Sequence, residues 1–528
     1  MSGTPARDSG NPLIIIGDRI QPKPHLTALM QQLRAENALL DDERRIKYAV
    51  CADSTDVALA LRRYLDAVRM ILIGPGLRGN AVTVARMLSK KAHIVMVIDP
   101  LANPLGNDPI AFQKVQRNLE DLGIVVVMAK NANEGFFEPL VEEFVLSEAS
   151  PAMELEAMTP EERAQMIDRR LDAVNKFPAL PDTQRRVSAL DDLDPPKKWA
   201  EAIDPDVTTR AVILKLLNTP RYGFQSRVVT IDQAVALASA RTIREIVTAC
   251  QIRQLFHQTQ ESTIDQYWRH SLAAGFYAKL FALPANSAAQ TPQQKAEIKR
   301  FALEPEQAQA LAEARLWERF TLEKKDEPFT TAMLHDIGKI TMLMCLEGSL
   351  SLVMALIEAE AAEQAQQGKL WARSVTEVER FLMKDMDHQV IGRRLAERWE
   401  LDPGVQQVIG GHHDLRDRSP DLVKLVALAN LAASTVFPYP ATDQHHPFPQ
   451  LFVRIDKAIK KKAGMKLDEA VESAISEDVF EDLVDVLSRM AIPAVLWESI
   501  DFKSFFKLCY LLAPKIRSNA IAFLQQTA

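Results

Sequence analysis

His335 and Asp336 stand side by side in the run Phe329-Thr-Thr-Ala-Met-Leu-His-Asp-Ile-Gly-Lys-Ile340, where an apolar stretch gives way to glycine. Imidazole and carboxylate together suit Mn, Fe, Zn or a similar ion. Successive side chains on a helix point about 100° apart, so two adjacent ligands can flank an ion but cannot surround it. Further donors must come from distant segments, and the chain offers His270 in Trp-Arg-His, His388 in Met-Asp-His, and the pair His412-His413. Five of the ten histidines thus lie in four short polar interruptions of apolar helical segments. Two readings stay open: a divalent-metal centre, or histidines hydrogen-bonded within a core.

The elements that must carry these residues are helices. His388, Ile391, Leu395 and Trp399 recur at spacings of three and four, so His388 shares the apolar stripe and points inward. Gly392, one turn on, leaves room beside it. Apolar periodicity of the same kind marks 207–217, 231–240, 243–256 and 268–281. From residue 177 onward the chain reads helical almost throughout.

The first 150 residues differ. Five short apolar runs, Pro12–Asp18, Ile46–Cys51, Met70–Gly74, His93–Asp99 and Gly123–Lys130, alternate with helical segments near 25–40, 54–66, 80–90, 110–121 and 133–147. Nearly continuous apolar runs are the mark of central parallel strands covered on both faces. Strand then helix, five times, predicts an open α/β sheet with right-handed crossovers. Ligands bind such sheets at the carboxyl ends of the strands, where Asp18, Gly74, Asp99 and Lys130 arrive. Gly74-Pro-Gly-Leu-Arg-Gly79 is neither GxGxxG nor GxxxxGK[ST] and reads as a tight strand-to-helix turn.

At 528 residues, with 47% hydrophobic and 25% charged residues, the chain has the composition of a globular protein of two to four domains. A net charge of -7 gives no general attraction to nucleic acid or anionic membrane. No basic recognition helix stands out, so nucleic-acid binding is not expected. The opening Met1–Gly10 has no apolar run after its charges and does not read as a signal peptide, and no uncharged apolar stretch reaches the length of a membrane span. The four cysteines, Cys51, Cys250, Cys345 and Cys509, are far apart and set in apolar surroundings, as expected of thiols in a reducing cytoplasm.

Two resemblances follow from these residues. The five β/α units resemble the receiver domain of bacterial response regulators, implying a flavodoxin-like parallel five-stranded sheet. The receiver's acidic pair is matched by Asp18 alone, with Gly17 in place of the other member. Gly74 or Pro75 stands where the phospho-accepting Asp belongs. Asp99 falls near the Ser/Thr position, and Lys130 matches the Lys. The resemblance therefore implies a pseudo-receiver without a nucleophile, serving docking, dimerisation or small-ligand sensing.

The second resemblance lies in Phe177-Pro-Ala-Leu-Pro181, Asp204-Pro205, Leu214–Gly223, Ile231–Val235, Tyr267–Ser271, His335–Lys339, Asp387-His388, His412-His413 and Leu428–Asn430. In this order they resemble the HDOD domain, an all-helical relative of the HD phosphohydrolases and HD-GYP cyclic-dinucleotide phosphodiesterases. It implies metal ligation by His270, His335 and Asp336, with Asn430 where the family has an aspartate. His388 and His413 match extra histidines of the two-metal branch, and no GYP element follows Lys339. The implied cofactor is a divalent metal (Mn, Fe, Zn, Mg or Ni), or none.

The expected organisation is an α/β domain over 1–147, a helical linker over 148–176, an all-α HDOD domain over 177–435 with insertions near 285–326 and 350–370, and a helical extension over 436–528. The insertions are expected at the surface. The expected function is a cytoplasmic bacterial signalling protein: a pseudo-receiver coupled to a regulatory, protein-binding HDOD module, with other signalling proteins or a second copy as partners. The alternative is an HD-type phosphohydrolase or cyclic-nucleotide phosphodiesterase. His335 and Asp336 would then serve catalysis, and Lys339 would steady the phosphate charge or else stand on the surface.

Overall fold

A computed structural model describes the chain except for residues 1–10, 19–22, 41, 43–44, 66, 90, 100–115, 121, 147–179, 220–221, 223, 225, 256–261, 285–289, 324–326, 346–351, 354–355, 358–359, 361, 363–374, 384–386, 417, 438–446, 462–464, 476–499 and 528. The linker helix expected over 148–176 and the pair His445-His446 lie outside the described residues, as does the whole of 363–374. The chain divides into two compact units. One holds Met1–Val174, Cys345–Glu360 and Glu377–Met386; the other holds Asn175–Met344, Ala361–Thr376 and Asp387–Ala528.

In the first unit, β1 (Leu13–Gly17), β2 (Lys47–Cys51), β3 (Val68–Ile73), β4 (His93–Ile98) and β5 (Val125–Met128) form one parallel sheet in the order β2-β1-β3-β4-β5. This is the five-stranded, flavodoxin-like order expected from the sequence. Helices α1 (Pro24–Asn37), α2 (Ser54–Arg63), α3 (Ala81–Leu88) and α4 (Glu134–Val141) intervene or follow. Central β1 is buried along its whole length, whereas the edge strand β2 exposes Lys47, Tyr48 and Val50. Ile14, Ile16, Met70, Leu72, Val95 and Val97 cluster with Leu29 and Leu33 of α1 and with Phe137 and Val141 of α4. Two helices begin with side-chain caps: Asp53 accepts from the backbone of Thr55 and Asp56, and Asn80 from that of Thr83.

The second unit is helical. Short helices α5 (Asp182–Ser188), α6 (Pro196–Ile203), α7 (Val207–Leu217), α8 (Ile231–Ala238) and α9 (Ala240–Leu255) lead to the long α10 (Ser262–Phe281). Then come α11 (Pro292–Phe301), α12 (Pro305–Ala314), α13 (Pro328–Leu334), α14 (Ile337–Cys345), α15 (Val375–Met383), most of which belongs to the first unit, α16 (His388–Arg398), α17 (Pro403–Ile409), α18 (Asp421–Val436), α19 (Pro447–Lys461), α20 (Leu467–Ala474) and α21 (Phe502–Thr527). Helix α10 is the central post, packed by α13, α18 and α21. It is buried on most sides, as Tyr267, Trp268, Phe276, Tyr277 and Phe281 show.

Two parts differ from the surface placement expected of the insertions. Leu352, Val353, Leu356 and Ile357 are buried and belong to the α/β unit. Ala310, Leu311 and Ala314 of α12 are also buried, against α21. Apolar residues at helical spacing within a polar stretch explain both: each segment has one face that burial stabilises.

Candidate metal centre

The histidines singled out by sequence converge on one carboxylate. His270 comes from the middle of α10, and His335 and Asp336 from the corner between α13 and α14. His388 is the first residue of α16, and His412 and His413 lie in the turn after α17. Asp336 belongs to two groups of donor atoms, each within 4.8 Å of one another: Asp336, His388, His412 and His413, and His270, His335 and Asp336. His270, His335, Asp336, His388 and His412 are all buried.

Local structure explains the convergence. A Cβ built on Gly338 would lie 1.8 Å from the carbonyl oxygen of His388, and one on Gly392 would lie 2.8 Å from Ile409 Cγ2 and 3.0 Å from the Gly338 nitrogen. Helices α14 and α16 thus cross backbone to backbone, which only glycine at both positions permits. Asp387 starts α16 by accepting the Val390 N–H at 2.8 Å, which fixes the first turn that carries His388. Buried Gln389 accepts the backbone N–H of His413 at 2.8 Å and donates to Asp414 at 3.2 Å, tying the two-histidine turn to the same helix.

The ring orientations are set from outside the cluster. His335 Nδ1 faces the Ala332 carbonyl at 2.5 Å, and His412 Nδ1 faces the carbonyls of Val408 and Ile409 at 3.1 and 3.2 Å. A backbone acceptor on Nδ1 leaves Nε2 with its lone pair directed inward, the arrangement usual for metal-binding imidazoles. Asp336 Oδ1 lies 3.1 Å from His388 Nε2 and 3.3 Å from His412 Nε2, and those two nitrogens are 3.3 Å apart. Ligands at about 2.0–2.1 Å in a tetrahedron are separated by roughly 3.3–3.4 Å. The three atoms therefore outline one tetrahedral face. Among buried atoms without a hydrogen bond are His335 Nε2 and His413 Nε2. Buried nitrogens left unsatisfied are costly unless something else takes their lone pairs, so the donor set fits a metal ion.

The electrostatics agree. Burial pushes His270 down to about 4 and His335 and His413 well below the usual imidazole range, with His412 lowered for the same reason. The rings are neutral near pH 7, the state that binds metal. Burial alone would raise Asp336, but His335, Lys339 and His388 around it hold the carboxyl well below its ordinary value. Lys339 is not at the surface: it is 3% exposed, and its Nζ lies 2.5 Å from Asp336 Oδ2. The i,i+3 spacing on α14 brings the two together. Asn430, on α18, has its Oδ1 2.8 Å from His270 Nε2. The amide thus serves as partner to an imidazole, where a carboxylate would bring a second negative charge. His412 completes the face around Asp336 although the sequence pattern pointed to its neighbour His413. The signal that could have found it is the His-His pair itself, since a turn fixes no face in advance.

In the α/β unit, the strand ends are organised differently from a phosphorylation site. Asp18 is fully buried, ion-paired with Lys23 and 2.9 Å from His25 Nε2. A Cβ on Gly74 would lie 1.9 Å from Asp18 Oδ2. The one retained carboxylate thus fills the space where an acceptor side chain would stand. Lys130 is exposed, in a short turn after β5.

A family model of the HDOD domain matches residues 177–294 and 283–415. The match covers a little under half of the chain, and an α/β domain of receiver-like topology stands ahead of it. Among curated proteins, an uncharacterized protein of Treponema pallidum (strain Nichols) is 22% identical over 287 residues, 53% of this chain. The chain spans only 45% of that relative's length. Among solved structures, an HDOD domain protein from Geobacter sulfurreducens has a TM-score of 0.42 at 17% identity, covering 69% of this chain and 99% of that one. A protein from Marinobacter aquaeolei VT8, described as one of signal transduction, has a TM-score of 0.34 at 12% identity over 80% of this chain and 79% of that one. Among the described residues, no helix is long and apolar enough to cross a membrane.

Proposed function

We propose that the chain is a bacterial signalling protein in which a pseudo-receiver governs an HDOD module that works by protein contact. We further propose that its histidine cluster holds one divalent ion as a structural or regulatory element. The observation that carries this reading is the pairing of a receiver fold with no phospho-acceptor, Asp18 lying against Gly74, with a buried His/Asp cluster. Partners are other signalling proteins or a second copy of the chain. The net charge of -7 speaks against nucleic acid. Cys51, Cys250 and Cys509 are free and buried, in keeping with a reducing cytoplasm.

Imidazole-rich donors suit Zn, Fe, Ni or Mn better than Mg, which prefers oxygen ligands. Asp336, His388, His412 and His413 would hold the ion, with His270 and His335 on the other side of the carboxylate. A bound ion supplies Lewis acidity and lowers the pKa of bound water. Asp336 already shares its charge with Lys339, and Asn430 adds none. Little negative charge is left to hold a second cation.

The second reading, a phosphohydrolase, is favoured by one observation: Lys339 places an ammonium beside the donor set, where phosphate charge would be met. The test is the full chain loaded with Mn²⁺ and incubated with cyclic dinucleotides and nucleotides. The regulatory reading expects retained metal and no turnover. Turnover that Asp336→Asn abolishes transfers the assignment to the second reading.

A further inference from the structure

The basic run near the end of the helical unit has no counter-charges of its own. Arg454, Lys457, Lys460 and Lys461 of α19 are exposed, as is Lys466 just before α20, and none of them is ion-paired among the described residues. The acids that follow in sequence turn elsewhere. Asp468, 71% exposed, places Oδ1 2.6 Å from Lys507 Nζ, and Glu472, 63% exposed, pairs with Lys503. Both lysines are on α21. Asp456, the one acid of α19, accepts a hydrogen bond from the Tyr510 hydroxyl, also on α21, at 2.6 Å. The basic strip is therefore unfavourable as it stands. Arg454 with Lys457, and Lys457 with Lys460 and Lys461, are like charges three or four residues apart on one helix, which destabilise it. Lys466 sets an ammonium at the positive end of α20. An acidic surface laid on the strip removes these costs.

The acidic surface that matches it is on the neighbouring helix. α19 and α20 pack against one another, and both rest on α21. The Phe452 ring of α19 lies 4.9 Å from that of Phe506 and 5.2 Å from that of Tyr510. Leu451 and Ile455 of α19 and Ala470, Val471 and Ala474 of α20 are buried. The exposed faces of the two helices thus look away from α21, a positive strip on α19 beside a negative one carrying Asp468, Glu469 and Glu472 on α20. Val453, 51% exposed, stands within the positive strip. A face positive along one side and negative along the other is complementary to itself after a two-fold rotation. We propose that this face is the contact between two copies of the chain, with Lys457, Lys460 and Lys461 of each copy set against Asp468 and Glu472 of the other. The pair Glu472–Lys503 is exposed on both sides, so it holds its acid only weakly. Anionic lipid or nucleic acid fits the strip less well. The net charge of -7 repels both, and the apolar face that α19 would insert into a membrane is already buried. The proposal deepens the reading of a module that works by protein contact, naming a second copy as the partner.

The test is sedimentation of the full-length chain over a range of concentrations. Wild type is expected to form dimers whose dissociation constant rises by about tenfold or more between about 0.1 and about 1 M NaCl, as the screening length falls from about 10 to about 3 Å. Lys457→Glu with Lys460→Glu should sediment as a monomer, and so should Asp468→Lys with Glu472→Lys. An equal mixture of the two reversed chains should recover the mass of two chains, because each then carries the charge the other lost. Four results overturn the proposal: a wild type that stays monomeric at low salt, dimers that both reversals leave intact, reversed chains that stay apart when mixed, and a monomeric wild type that instead binds duplex DNA or phosphatidylserine vesicles through the strip. A monomeric wild type removes the second copy alone and leaves contact with other proteins standing. Should a reversal fail to fold, Lys457→Gln with Lys460→Gln and Glu472→Gln by itself remove charge more mildly and are read in the same way: weaker dimers support the contact and unchanged dimers overturn it.

Discussion

Replacing Gly338 by alanine tests whether the cluster depends on the backbone crossing of α14 and α16. The new Cβ would lie 1.8 Å from the His388 carbonyl oxygen, 2.7 Å from its carbon and 2.8 Å from the Gly392 nitrogen. An ordinary contact needs about 3.5 Å, so the helices must part by roughly 1.5 Å at this point. Alanine gains about 1 kcal/mol of helix propensity over glycine. Overpacking costs about 1–3 kcal/mol, and more where the obstacle is backbone. The clash wins, and a net loss of about 1–2 kcal/mol is expected. The same displacement opens the 3.1 Å edge between Asp336 Oδ1 and His388 Nε2. A gap wider by roughly 1.5 Å exceeds the span of two ligands on one ion, so metal affinity should fall by at least about tenfold. Denaturant unfolding of the metal-free chain gives the first number and calorimetry with Zn²⁺ or Mn²⁺ the second. A Gly338→Ala chain as stable as wild type, with unchanged metal affinity, would refute the reasoning.

Three further outcomes are expected. Acetyl phosphate and Mg²⁺ should leave the chain unlabelled, and Gly74→Ala should lower the unfolding midpoint by displacing Asp18; a gain of about 80 Da mapped to Asp18 or Asp99 would contradict the pseudo-receiver assignment. His270 is depressed from 6.5 to about 4 when folded, so its neutral form supports the fold fully above pH 6.5 and that support is lost as pH falls toward 4; the chelated chain should lose on the order of 3 kcal/mol over this window, and His270→Asn should flatten that part of the pH curve. Asp336→Asn strands the buried Lys339 ammonium, and the chelated variant should be less stable by about 3–5 kcal/mol in chemical denaturation; a loss below about 1 kcal/mol would show that the pair is not buried in solution.

The α/β sheet was legible because each central strand is buried on both faces, which leaves an apolar run such as Leu13–Ile16 or Met70–Ile73 and little else to fit it. The inward turn of His388 was legible too, since Ile391 and Leu395 define its face. His412 was not, because it follows Gly410 and Gly411 in a turn, where no period assigns a direction. Lys339 was misplaced for a different reason. A lysine reads as surface unless a buried anion one turn away is known to need it, and the burial of Asp336 is a tertiary fact. The assignment of 345–360 and 377–386 to the α/β unit lies in pairings such as Arg62 with Glu360, nearly 300 residues apart, and local pattern carries no trace of it.

The central claim is that Asp336 and the surrounding histidines hold one ion. X-ray absorption of the full chain loaded with zinc tests it directly. The predicted result is a shell of nitrogen and oxygen only, at about 2.0–2.1 Å, with outer scattering from several imidazole rings. That signal should be lost in Asp336→Ala. A chain that retains less than about 0.1 zinc after desalting, or a sulfur shell near 2.3 Å, would contradict it.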